Sequence, residues 1–285
     1  RSLVGSEMCI RDSFYRVNCR RPPLDNPDFR RAISLAIDRE AICTHVLALG
    51  ERPAYTLVPP HAVPLMPRTN PDGRVVHYLP PTGLGADSTQ ERRNTLAGEH
   101  LSRYLAAAGL THPAQVRPLE LAFPPEAEQR HLAEAIQQMW ETVLGLRVEL
   151  RTIDGKALSS KIRELNYDLA RSDWYGDYLD PSTFLNMFTT DDAQNRTGWS
   201  SPEYDRLVTA ASAEPDDEHR YALLSEAEQI LCREAPIIPV FHRRGNFLLN
   251  PAFTGLHQHV RDLLPIHRVR RTDATTSDRI KPPNR

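Results

Sequence analysis

YDLARSDWYGDYLDPSTFLNMF, residues 167–188, is the stretch on which the reading of the chain turns. Its first half, Tyr167 to Trp174, reads as a buried strand. The strand runs into a loop that carries Arg171, Trp174, Tyr175, Asp177 and Tyr178. Asp180-Pro181 then opens a helix, because aspartate caps a helix N-terminus well and proline suits the first helical position. A strand end that brings together aromatics, a carboxylate and a guanidinium can form a cleft for a zwitterion. The same residues also fit a capped strand–helix connection with ordinary core aromatics. In that case Arg171 is a buried arginine paired with Asp168 or Asp173, and Asp177 closes an Asx turn.

Working outward, a helix over 91–108, a strand over 116–123, a helix over 126–144, a strand over 146–153 and a helix over 156–164 lead up to this stretch. Pro118 demotes the 116–123 strand toward an edge or bulge. The alternation predicts an α/β lobe with a mixed or parallel sheet covered by helices. Asn26-Pro27-Asp28 opens an earlier helix stopped by Gly50, and residues 51–90 form a long irregular excursion rich in proline and glycine. After the central loop come helices over 181–188, 202–213 and 218–235. The flanking strands at 14–18 and 236–249 either belong to this lobe or hinge to something else.

Composition narrows the function classes. The 285 residues are 40% hydrophobic and 25% charged, as in ordinary globular proteins. A net charge of −2 argues against a general nucleic-acid grip. No apolar run approaches the length of a membrane span. Cys9, Cys19, Cys43 and Cys232 have no zinc-like spacing. His257 and His259 form an HxH pair near His242 and His267, a weak metal pattern beside the reading of solvated histidines. No Walker, GxGxxG, GxSxG or HExxH motif occurs. The opening RSLVGSEMCIRDS resembles a translated sequencing-adaptor read-through, so residues 1–13 are expected to be a non-native leader.

Several segments together resemble one family. PPLDNPDFRRAISLAIDREAICTHVLALGERPAYTLVPP (22–60), NYDLARSDWYGDYLDPSTFLNMF (166–188), SSPEYDRLVTAA (200–211) and EHRYALLSEAEQILCREAPIIPVFHRRG (218–245) occur in the order found in the peptide-binding group of ABC-importer solute-binding proteins. That group includes oligopeptide-, dipeptide- and nickel-binding members. The resemblance implies two α/β lobes closing like a clamshell, with this chain a fragment that holds the C-terminal lobe. Residues 14–25 would be an interlobe strand, 26–235 the lobe, 236–270 a return toward a missing N-terminal lobe, and 271–285 a disordered tail. It implies ligand contacts from Asp177 (to an α-amino group), Arg171 (to a carboxylate) and Trp174, to which the residue types add Tyr175 and Tyr178 as expected walls for the ligand. It also implies a small peptide or similar solute as ligand and membrane permease subunits as partners, with no cofactor, no metal, no nucleic acid and no catalytic residue. The full-length protein would be monomeric and periplasmic or extracellular, with lipid anchoring an open option. A sugar, nickel chelate or opine ligand on the same fold stays open, as do a hydrolase and a lone interaction module.

Overall fold

The computed structural model describes residues 2–60, 67–70, 72–250, 252–255 and 266–271, with backbone alone for 2–11 and 244–249. The first strand, β1 (Ser2–Val17), is longer than the 14–18 expected, and it buries Asp12 and Ser13 inside the sheet. Asn26 then caps α1 (Pro27–Leu35) by accepting the amide hydrogens of Asp28 and Phe29. The single helix expected up to Gly50 is broken. Asp38 caps a new start, α2 (Arg39–Ala41), which runs on as a π-helical turn over Ile42–Leu47. The excursion that follows holds β2 (Arg52–Pro53) and a hairpin of β3 (Arg68–Thr69) and β4 (Val75–Val76).

The α/β unit comes next: α3 (Gln90–Ala107), β5 (Leu119–Phe123), α4 (Ala127–Leu144), β6 (Val148–Thr152), α5 (Gly155–Arg163) and β7 (Leu169–Tyr175). Gly145, at φ 66°, ends α4 in the left-handed region that glycine enters without strain. The chain continues through α6 (Ser182–Leu185), α7 (Pro202–Ala213), α8 (Asp217–Glu234) and β8 (Ile237–Leu249), then a short pairing of β9 (Phe253–Thr254) with β10 (Arg270–Arg271). His257, His259 and the expected 271–285 tail beyond Arg271 lie outside the described residues.

One sheet organises these elements in the order β2-β8-β1-β7-β5-β6. β5 pairs in parallel with both β6 and β7, while β1, β8 and β2 add antiparallel neighbours. The sheet is therefore mixed, and both flanking strands belong to it. β5 is an interior strand despite Pro118, because the proline stands just before its first residue and no ladder N–H is lost.

Side chains alternate across the sheet as strand geometry requires. Leu121 and Leu169 pack with α1, α3 and α4, whereas Ala122 and Ala170 pack with Leu158 and Ile162 of α5. The helices α4 and α5 thus cover opposite faces. A further core joins Phe14 to Leu57, Val58 and Tyr78 of the excursion and to α6, α7 and α8.

Glu228 of α8 fastens the excursion. Its carboxylate accepts the amide hydrogens of Leu57 (2.8 Å) and Val58 (2.7 Å) and the hydroxyl of Tyr78 (2.5 Å). Complete burial pushes its pKa up to about 7, against the opposing pull of these bonds. A pKa raised on folding gives a contribution that is full below about 4.5 and is lost as pH rises through about 7. Glu228→Gln, which keeps the acceptor for both amides, should flatten the fall in stability over that window in urea titrations. Glu228→Ala should cost on the order of 2–3 kcal/mol by stranding buried donors.

Candidate functional site

The three parallel strands β5, β6 and β7 end at one edge of the sheet. β5 has its next strand, β6, on one side and β7 on the other, so the strand order reverses there. In open α/β sheets a crevice opens at such a reversal, outside the carboxyl ends of the strands. A cavity of about 550 Å³ lies at this edge. Pro124 and Glu126 come to it from the end of β5, Gly155 and Leu158 from the start of α5, and Ser172 to Trp174 from the end of β7.

Of the residues singled out in the sequence, Arg171 and Trp174 line this cavity. Tyr175, the last residue of β7, and Asp177 and Tyr178 on the loop that follows are exposed and lie outside the cavity's lining. Trp174 is half-buried, and its indole N–H donates to the Thr183 carbonyl at 2.8 Å. The Asp177 amide donates to the Thr183 hydroxyl at 2.9 Å, and the Tyr178 and Ser182 hydroxyls lie 3.2 Å apart. The loop is thereby stitched to α6, with the Asp177 carboxylate left facing solvent.

Arg171 is buried among named acceptors. Its guanidinium donates to Gln129 Oε1 (2.7 Å), Ser13 Oγ (2.6 Å), the Phe14 carbonyl (3.3 Å) and the Ser172 carbonyl. Asp168, one carboxylate expected as its partner, is instead held by Arg117 at 2.6 and 2.9 Å and by Arg21 at 3.2 Å.

Asp180 does more than cap a helix. Its carboxylate accepts the Ser182 amide hydrogen (3.0 Å), Arg68 from the excursion (2.8 Å) and Arg220 from α8 (2.7 and 2.9 Å). Burial raises its pKa, but the bonds from Arg220, Arg68 and Ser182 outweigh that and hold it down at about 2.

The sequence reading missed Arg16, Gln129, Arg196 and Arg243, which also line the cavity. Arg16 was findable by the argument applied to Arg171: an arginine inside an apolar strand. Arg196 and Arg243 carry no local signal, since the chain brings them in from loop and strand positions remote in sequence. His242, grouped by sequence with a weak metal pattern, is buried in β8 with its Nδ1 3.0 Å from Asp12.

Residues 10–196 match the sequence profile of the bacterial extracellular solute-binding proteins, family 5 (middle). The chain belongs to this family. It is 30% identical over 246 residues to the dipeptide-binding protein DppE of Bacillus subtilis, spanning 86% of this chain and 42% of that protein. It is 28% identical over 249 residues to the oligopeptide-binding protein OppA of the same organism, spanning 85% and 42%. The solved structure of the Escherichia coli murein tripeptide binding protein MppA superposes with a TM-score of 0.79 at 26% identity, covering 93% of this chain and 49% of that one. The family 5 chain thus spans less than half the length of these relatives, and the relatives are binding proteins.

Asp180 is depressed on folding, so its contribution is full above about pH 4 and is lost as pH falls to about 2. Asp180→Asn should destabilise the chain by on the order of 2 kcal/mol at pH 7 and remove that acid-side loss. Urea unfolding at pH 7 and pH 3 measures both effects.

Proposed function

We propose that the chain is the second α/β lobe of an extracytoplasmic solute-binding subunit of an ABC importer, and that the whole protein captures short peptides and presents them to membrane permease subunits. The observation that carries this reading is the cavity at the carboxyl edge of the sheet, with the WYGDY loop beside it. The peptide-binding names of the relatives support it, as does the fraction of their length that the chain spans.

In this reading the cavity and the exposed Asp177 face a first lobe across a cleft. Asp177 takes the ligand's α-ammonium. Solvated when the cleft is open, its charge exchanges water for a short charge-assisted hydrogen bond once the cleft closes. Trp174, Tyr175 and Tyr178 form apolar walls beside that contact. Main-chain hydrogen bonds hold the peptide backbone, and water fills the space around side chains, which permits a range of sequences. Ligand binds the closed arrangement better than the open one, and that difference shifts the hinge equilibrium toward the shape the permease recognises. No covalent step is needed, and the protein works as a monomer.

Isothermal titration of the longest natural form of the chain with di- to pentapeptides tests this. Free-amine peptides should bind, and Asp177→Asn should weaken them by roughly tenfold to a hundredfold while N-acetylated peptides, already weak, change little. Binding of a sugar or metal chelate with no peptide bound would replace the peptide assignment. Unchanged affinity in Asp177→Asn would remove that residue from the site.

A further inference from the structure

One threonine holds both Trp174 and Asp177. Thr183 lies on α6, nine residues beyond Trp174 and six beyond Asp177. Its main-chain carbonyl accepts the Trp174 indole N–H at 2.8 Å, and its side-chain hydroxyl accepts the Asp177 amide N–H at 2.9 Å. Two different atoms of one residue thus fix the two ends of the WYGD turn.

The anchor is rigid on its far side. Thr183 is 5% exposed, and Phe184 and Leu185 beside it are fully buried in the core shared with α7 and α8. The Tyr204 hydroxyl of α7 donates to the Leu185 carbonyl at 2.6 Å. At the start of α6 the Asp180 carboxylate accepts the Ser182 amide hydrogen, while Arg68 and Arg220 grip that carboxylate from the excursion and from α8. The Thr183 amide in turn donates to the Asp180 carbonyl at 3.2 Å. A line of support therefore runs from two arginines remote in sequence, through Asp180, to Thr183 and out to the loop.

The loop supplies little of its own. Tyr175, Asp177, Tyr178 and Leu179 are all exposed, so apolar burial does not fix where the Asp177 carboxylate stands. Ordering a loose group at the moment of binding lowers affinity, and a group already held in its bound position avoids that loss.

We propose that Thr183 is a positioning residue for the ligand's amino end. Its hydroxyl holds the Asp177 backbone so that the carboxylate meets the α-ammonium without rearrangement, and its carbonyl separately fixes the indole wall. This role rests on the peptide reading above and adds to it a residue that acts through Asp177 rather than on the ligand.

The two bonds can be cut separately. Thr183→Val keeps the branching of the side chain and the carbonyl that receives Trp174, and removes only the hydroxyl. Thr183→Ser keeps the hydroxyl. Ala-Ala-Ala and its N-acetylated form, titrated calorimetrically into the longest natural form of the chain, read the outcome. Thr183→Val should weaken Ala-Ala-Ala by roughly three- to tenfold and leave the acetylated peptide unchanged. Thr183→Ser should restore the parent affinity. Added to Asp177→Asn, Thr183→Val should cause no further loss, because the group it positions is already gone. Hydrogen exchange followed by NMR should show the Asp177 amide protected in the parent and released in Thr183→Val, with the Trp174 indole N–H protected in both.

An equal loss for both peptides, parent-like binding by Thr183→Val, or a further loss on top of Asp177→Asn would overturn the positioning role. The peptide reading would survive each of these, provided that Asp177→Asn still weakens Ala-Ala-Ala selectively. An Asp177 amide that exchanges freely in the unsubstituted protein would overturn the role without any variant. No binding of either peptide would retire both.

Discussion

Parallel strands joined by helices obey one handedness, and that rule fixes much of this molecule. The step from β5 to β6 moves one way across the sheet, and the step from β6 to β7 moves back past β5. With a right-handed crossover each time, α4 must lie on one face and α5 on the other, which is where Leu121 and Ala122 find them. The N-terminal turns of the two helices then both reach the cavity at the carboxyl edge. Glu126 and Gln129 stand on one side of that space and Gly155 and Ser159 on the other. The cavity is therefore a consequence of topology first and of side chains second.

Two buried carboxylates hold the irregular parts of the chain to this frame, and they differ in kind. Asp180 meets two guanidiniums and a main-chain N–H, and it remains ionised far into acid. Glu228 meets only neutral donors, so burial dominates and its proton is held more tightly. Both tie the 51–90 excursion to α8 or to the loop before α6, one through Arg68 and the other through Leu57, Val58 and Tyr78. The described parts of this excursion are thus held by polar contacts as well as by the apolar burial of Leu57, Val58 and Tyr78.

Local pattern made the α/β unit legible. Gly109 and Gly145 mark helix ends, both at positive φ, and the strand at 148–152 alternates apolar and polar residues as expected. Contacts made across long sequence separations were not legible. The break before α2 depends on Asp38 capping a new turn inside a continuous apolar period. Pro118 misled because its effect depends on whether it stands within a ladder or one residue before it. Of the residues lining the cavity, Trp174 and Arg171 were singled out from a short stretch of chain, but the other arginines come from positions 16, 196 and 243. Asp180 read as a cap because its two arginine partners lie 112 and 40 residues away.

The three tryptophans occupy three distinct surroundings. Trp140 is fully buried and donates to the Ile33 carbonyl at 2.7 Å, and Trp199 is nearly buried with its indole N–H on Glu234 at 3.0 Å. Trp174 alone among them sits half-open against the cavity. The molecule accordingly carries an intrinsic optical reporter at the mouth of its crevice, with two sheltered indoles as an internal reference. Quenching by a water-borne agent would act mainly on the one at the mouth, and its emission colour would register whatever displaces solvent there.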